Sequence, residues 1–298
     1  MSLQFKPTHK YNELFDFAKF YGEFGNRQFD GTYSKKKYEE FLKIATVNNI
    51  SEKDWPYYHI EKDFYSYNAM GYRTYEFSDL ENQTFDIAIG CSFTEGIGIR
   101  LSETWVSHLE KKLDTKIVNL GKGGASAKYI KHTLFAWVMS NKKLPKRIFI
   151  LWTEPTRKTY VRASGGPQHL NHSWSINNIL DEHDIIINEV YKKTLSSNVM
   201  WSNDFVEDYC SVNILMKSLN VEVHNFLIDS MWHYEEVDFL NYTGIVPHNI
   251  NFNKDVIGWY KTTGGVLIYP AYDGMHLGER HHISVVNQIC KVMNNEKD

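Results

Sequence analysis

The chain has 298 residues, 42% of them hydrophobic and 23% charged, with a net charge of −3. These values fit a globular protein with a sizeable core, and a negative net charge with no basic run longer than Lys35-Lys36-Lys37 argues against a nucleic-acid binder's basic patch. No apolar run nears the roughly 20 residues of a membrane span, the first ten residues lack an apolar signal core, and three widely spaced cysteines, Cys91, Cys210 and Cys290, predict reduced thiols rather than a disulfide framework.

Residues 1–80 read as an aromatic-rich extension that packs on the main domain. Helices are expected over Tyr11–Gly22 and Ser34–Val47, with a turn at Trp55-Pro56 and an extended segment, Tyr65–Glu76, punctuated by Gly71. From residue 81 to 298 the texture becomes strand and helix in alternation, with insertions at about 155–202 and 229–264. Phe85-Asp-Ile-Ala-Ile89 predicts a buried strand ending at Gly90. Ser102–Leu113 predicts a helix behind a capping pattern, Lys116–Leu120 a second strand, and the helical spacing of Ile130, Leu134, Trp137 and Val138 a second helix. Arg147–Trp152 is a third strand, Asn203–Leu219 a helix, Val221–Ile228 a strand and Glu279–Met293 a closing helix. This alternation implies an α/β fold, a three-layer α/β/α arrangement with a central parallel sheet whose strand ends share one edge.

Two loops carry the chemistry. Gly90-Cys-Ser92 follows the first strand, where the chain leaves the carboxyl edge of the sheet, the usual ligand side of such folds. Tyr272-Asp-Gly-Met-His-Leu-Gly278, far along the chain, follows the apolar run Val266–Pro270. A serine hydroxyl is a weak nucleophile at neutral pH and needs a base, itself oriented by a third group. Ser92, His276 and Asp273 supply those three roles.

The blocks in which these residues sit resemble the SGNH or GDSL hydrolase family. Gly90-Cys-Ser92 is similar to the serine block, Asn119-Leu-Gly-Lys-Gly-Gly-Ala-Ser126 to the second block and Asp273-Gly-Met-His276 to the last. Asn68-Ala-Met-Gly-Tyr-Arg-Thr-Tyr-Glu-Phe77 is similar to a leader found ahead of the serine in some members. The resemblance implies a flavodoxin-like sheet, an acyl-enzyme on Ser92 and an oxyanion hole formed by the backbone N–H groups of Ser92 and Gly124, without metal or other cofactor.

Two positions depart from the family pattern. Cys91 replaces an aspartate outside the triad. Leu151-Trp-Thr-Glu-Pro155 replaces the third block, so Glu154 stands where an asparagine would donate to the oxyanion, which a carboxylate cannot do. Thr153 and Arg157 are the candidate substitutes, and Thr153, Glu154 and Arg157 the candidate substrate contacts.

The expected activity is cleavage of an O-acyl ester of a small molecule, carbohydrate or lipid. A non-catalytic binding module and an O-acyltransferase on the same triad are the alternatives. Nucleic-acid partners and a membrane span are not expected, whereas a homo-oligomer or larger assembly fits the many aromatics. The default location is the cytoplasm, and a virion-associated protein would read the same.

Overall fold

A computed structural model describes residues 65–140, 143–161, 167–170, 186–187, 189–191, 193, 198–228, 247–251, 271 and 276–294. The helices expected before residue 65, Asp229 and the run Val266–Pro270 lie outside the described residues.

Strand β1, Phe85–Gly90, is buried at every position, as a mostly apolar run requires, and its one charged side chain, Asp86, accepts from Arg147 Nε and Nη2 at 3.0 and 2.7 Å. It pairs in parallel with β2, Lys116–Asn119, on one side and with β3, Arg147–Trp152, on the other. Beyond an antiparallel hairpin of β4 (Lys158–Val161) and β5 (Pro167–Leu170), strand β6, Glu222–Ile228, extends the sheet beside β3. Strand β7, His248–Ile250, closes the far side. The five-stranded sheet has the order β2-β1-β3-β6-β7. Every pairing in it is parallel, so all strands end at the same edge.

The period of two divides β1 between two cores. Phe85, Ile87 and Ile89 point toward α3, Ala127–Ser140, and α4, Asn198–Ser218, where Ile130, Leu134 and Trp137 meet Phe205, Tyr209 and Val212. Ala88, with Phe149 and Leu151, faces α2, Trp105–Leu113, and α5, Glu279–Met293, through Trp105, Leu109, Val285 and Ile289. These are the three layers that the alternating sequence pattern implies. Tyr72 and Leu80 join the first core, and Phe77 meets Trp137 edge-on with ring centroids 4.9 Å apart. Among the described residues no helix is long and apolar enough to cross a membrane.

Three details differ from the sequence expectations. Helix α2 starts at Trp105 rather than Ser102, because Thr104 Oγ1 accepts the Ser107 N–H at 3.2 Å and Leu101–Glu103 forms a separate 3₁₀ turn. Helix α4 begins five residues earlier than expected. Strand β7 lies inside a stretch expected to be irregular: it is three residues long and only Ile250 is buried, so its pairing with β6 defines it and no local pattern announces it.

From β1 the chain moves outward to β2 and then returns across β1 to β3. In open parallel sheets such a reversal marks the ligand position, beyond the carboxyl ends of the two strands that flank it, here β1 and β3.

Candidate active site

The chain turns sharply after β1. A Cβ on Gly90 would lie 2.3 Å from Thr94 Oγ1 and 2.6 Å from the Leu151 carbonyl oxygen, so only glycine fits. Ser92 opens the single-turn helix α1, Ser92–Glu95, behind an extended Cys91 whose carbonyl accepts the N–H groups of Thr94 and Glu95 at 2.9 and 3.0 Å. The Ser92 side chain is half-buried. Its carbonyl accepts from Gly96 and Ile97, which closes the turn.

The loop after β2 is docked on that turn along its length. Asn119 Nδ2 donates to the Thr94 carbonyl at 2.7 Å and Asn119 Oδ1 accepts the Gly121 N–H at 2.9 Å. A Cβ on Gly121 would come within 2.4 Å of the Glu95 backbone nitrogen. The Lys122 N–H donates to the Gly90 carbonyl at 3.0 Å, and the Ala125 N–H closes a turn on the Lys122 carbonyl at the same distance. Gly124 is the third residue of that turn, with φ of 78°, the value a type II turn demands there.

Under these two loops lies a buried charge network. Glu95, fully buried, accepts the Gly123 N–H and the Tyr67 hydroxyl, the latter at 3.1 Å, and its carboxylate is 3.8 Å from the Lys122 ammonium. Lys122 Nζ also donates to the Gly71 carbonyl at 3.3 Å. Arg73 donates to the Gly96 and Ile99 carbonyls and lies 4.6 Å from the centre of the Tyr65 ring. Burial pushes the Arg73 guanidinium below its ordinary pKa, against the raising effect of Tyr65, Tyr67 and Glu95. The leader-like block 68–77 is therefore part of the floor of the site. Sequence reasoning missed Glu95 and Lys122; the available signal was two charged residues inside otherwise apolar and glycine-rich blocks.

Beyond β3, Thr153 is fully buried, and its hydroxyl has no hydrogen-bond partner among the described residues. Gly90 pairs in register with Leu151, so Ser92 and Thr153 each stand two residues past that last paired position. Glu154 accepts the Thr156 hydroxyl at 2.9 Å, and the Arg157 Nε is 3.5 Å from the same carboxylate oxygen. Arg157 also lines a cavity of about 500 Å³ between α3 and α4, together with Pro155, Tyr191 and Phe205. Neither Ser92, Gly124, Thr153 nor His276 is on its wall.

The late turn comes from the opposite layer. The His276 imidazole meets the Phe93 ring edge-on, centroids 6.0 Å apart, which brings it beside the residue that follows Ser92. The Ala271 N–H donates to the His276 carbonyl at 2.7 Å, tying the two ends of this segment together. Asp273 lies outside the described residues. His282, in the first turn of α5, accepts the Trp105 N–H on Nδ1 at 3.0 Å and hydrogen-bonds to the Leu277 backbone. Complete burial, with His281 and His108 nearby, lowers its pKa to about 3, so this imidazole is neutral and structural.

No protein-family model matches the sequence, and no curated protein is similar to it. Among solved structures, the chain is similar to a lipolytic protein of the G-D-S-L family from Desulfitobacterium hafniense, at 14% identity over 70% of this chain and 99% of that one, TM-score 0.43. It is also similar to the psychrotrophic esterase EstA from Pseudoalteromonas, at 13% identity over 70% and 99%, TM-score 0.42. A third is a family two carbohydrate esterase from Clostridium thermocellum, at 9% identity over 72% and 65%, TM-score 0.42. At such identities and TM-scores these likenesses decide nothing about activity, for which this chain's own residues must answer.

Proposed function

We propose that the protein is a serine-dependent ester hydrolase. Ser92 Oγ attacks the ester carbonyl carbon, and His276 accepts the hydroxyl proton while Asp273 orients the imidazole. The oxyanion is received by the backbone N–H groups of Ser92 and Gly124. Collapse breaks the bond to the alcohol, which leaves with the proton from His276, and water then hydrolyses the acyl-enzyme by the same steps. The observation that carries this reading is the contact of the His276 ring with Phe93 at 6.0 Å, because it brings an imidazole from a loop some 180 residues distant to the serine turn.

The substituted third block fits the same chemistry. Glu154 accepts from Thr156 and faces Arg157 within its own turn, which favours a donor other than this pair. The buried Thr153 hydroxyl, unpartnered among the described residues, takes the role: a hydroxyl can donate to an oxyanion where a carboxylate cannot. The substrate class is an O-acyl ester of a small molecule, a carbohydrate or a lipid.

A fluorophosphonate probe tests the assignment. One label per chain at Ser92, lost in Ser92→Ala together with hydrolysis of p-nitrophenyl acetate, is the expected result. Ester turnover that survives Ser92→Ala overturns it, as does a folded wild-type protein that takes up no label.

A further inference from the structure

We propose that Glu95 is a positioning residue for the oxyanion site, a role that rests on the ester-hydrolase reading. Lys122-Gly-Gly-Ala125 places two glycines in succession, and such a segment has more backbone freedom than any other. Yet the peptide between Lys122 and Gly123 is held at both ends. Its carbonyl accepts the Ala125 N–H at 3.0 Å, and its N–H donates to the Glu95 carboxylate. With that peptide fixed and Gly124 at φ 78°, the turn places the Gly124 N–H outside its own closing hydrogen bond, where it remains available to a ligand.

The clamp joins the nucleophile to the oxyanion site directly. Glu95 is three residues after Ser92 on the same helical turn, so one side chain couples the placement of Ser92 to that of the Gly123–Gly124 turn. Its other contacts, the Tyr67 hydroxyl at 3.1 Å and the Lys122 ammonium at 3.8 Å, hold the carboxylate and balance its charge away from solvent. A carboxylate buried without such partners would be severely destabilised. The Tyr67 contact adds a piece of the leader to the same device.

The test is a comparison of Glu95→Gln, Tyr67→Phe and the double variant Glu95→Gln/Lys122→Met, which removes both buried charges should the single variant not fold. Ester turnover and inhibition by an alkylboronic acid, whose adduct with serine is a tetrahedral boronate anion, are measured on folded protein. Glu95→Gln and the double variant are expected to lower kcat about tenfold to a hundredfold, to change KM less than about twofold, and to weaken boronate inhibition by the same factor as kcat. Tyr67→Phe, which keeps the Gly123 contact but removes one hydrogen bond from the carboxylate, is expected to lower kcat by a smaller factor than Glu95→Gln. If Glu95→Gln or the double variant lowers thermal stability but leaves kcat and boronate inhibition unchanged, the positioning role is overturned while the hydrolase reading stands. A wild-type protein without ester turnover overturns both.

Discussion

Two glutamates near the serine turn, Glu95 and Glu154, both face a cation, and they behave differently. Glu95 is fully buried and reaches a peptide of another loop, a phenol 28 positions back and the ammonium of Lys122. The Glu154 side chain is 20% exposed, and it accepts from Thr156 and faces Arg157, both in its own turn. One carboxylate joins separate segments of the chain; the other, among the described residues, serves its neighbours. Sequence reasoning singled out Glu154, because it breaks a motif, and passed over Glu95, because it does not. The lesson is that a charge acquires a structural role from what it is buried against, and motif position is a poor guide to that.

The comparison is broken or sharpened first by stability. Glu95→Ala should destabilise the fold by about 3–5 kcal/mol in urea denaturation, since it strips a buried ammonium of its counter-charge; a loss below about 1 kcal/mol would put the two glutamates in the same class. His282 extends the rule to a neutral group. Its folded pKa, lowered to about 3, lies below the unfolded value near 6.5. Its contribution is therefore fully present above pH 6.5 and is lost as pH falls toward 3, with a slope of up to about 1.4 kcal/mol per pH unit. Denaturation curves of His282→Gln should show a shallower acid limb than wild type, and an unchanged limb would deny the assignment.

Smaller effects separate Thr153 from Glu154 in the third block. Thr153→Val should lower kcat about a hundredfold with no loss of thermal stability, because it removes a buried hydroxyl that lacks a partner among the described residues. An unaltered rate would leave the oxyanion to backbone groups alone. Glu154→Gln should change stability by about 1 kcal/mol or less, as expected for a pair that keeps contact with solvent, and should leave kcat within about threefold. A large kinetic effect there would return Glu154 to the reacting centre.

Much of the frame was legible in the amino-acid order. The mostly apolar runs of Phe85–Ile89 and Arg147–Trp152, interrupted only by Asp86 and Arg147, predict strands buried on both faces, and from Ile148 onward in the second and throughout the first they are. The amphipathic spacing of Glu279–Met293 predicts a helix with those bounds. Strand β7 was not legible, because three residues with one buried side chain carry no period. Nor was the cap of α2, where Thr104 competes with Ser102 for the same local pattern and the packing of Trp105 into the core decides between them.

The site divides the same way. From sequence alone come the nucleophile candidate at a strand end, the glycines that let two loops approach and the acid and imidazole of a late turn, because each depends on residue type and on nearby neighbours. Tertiary structure alone decides that Phe93 meets His276, that Glu95 holds Gly123 and that Arg157 turns to Glu154. The first two contacts join residues far apart in the chain, and there burial, which makes each unpaired polar group costly, selects the partner that packing supplies.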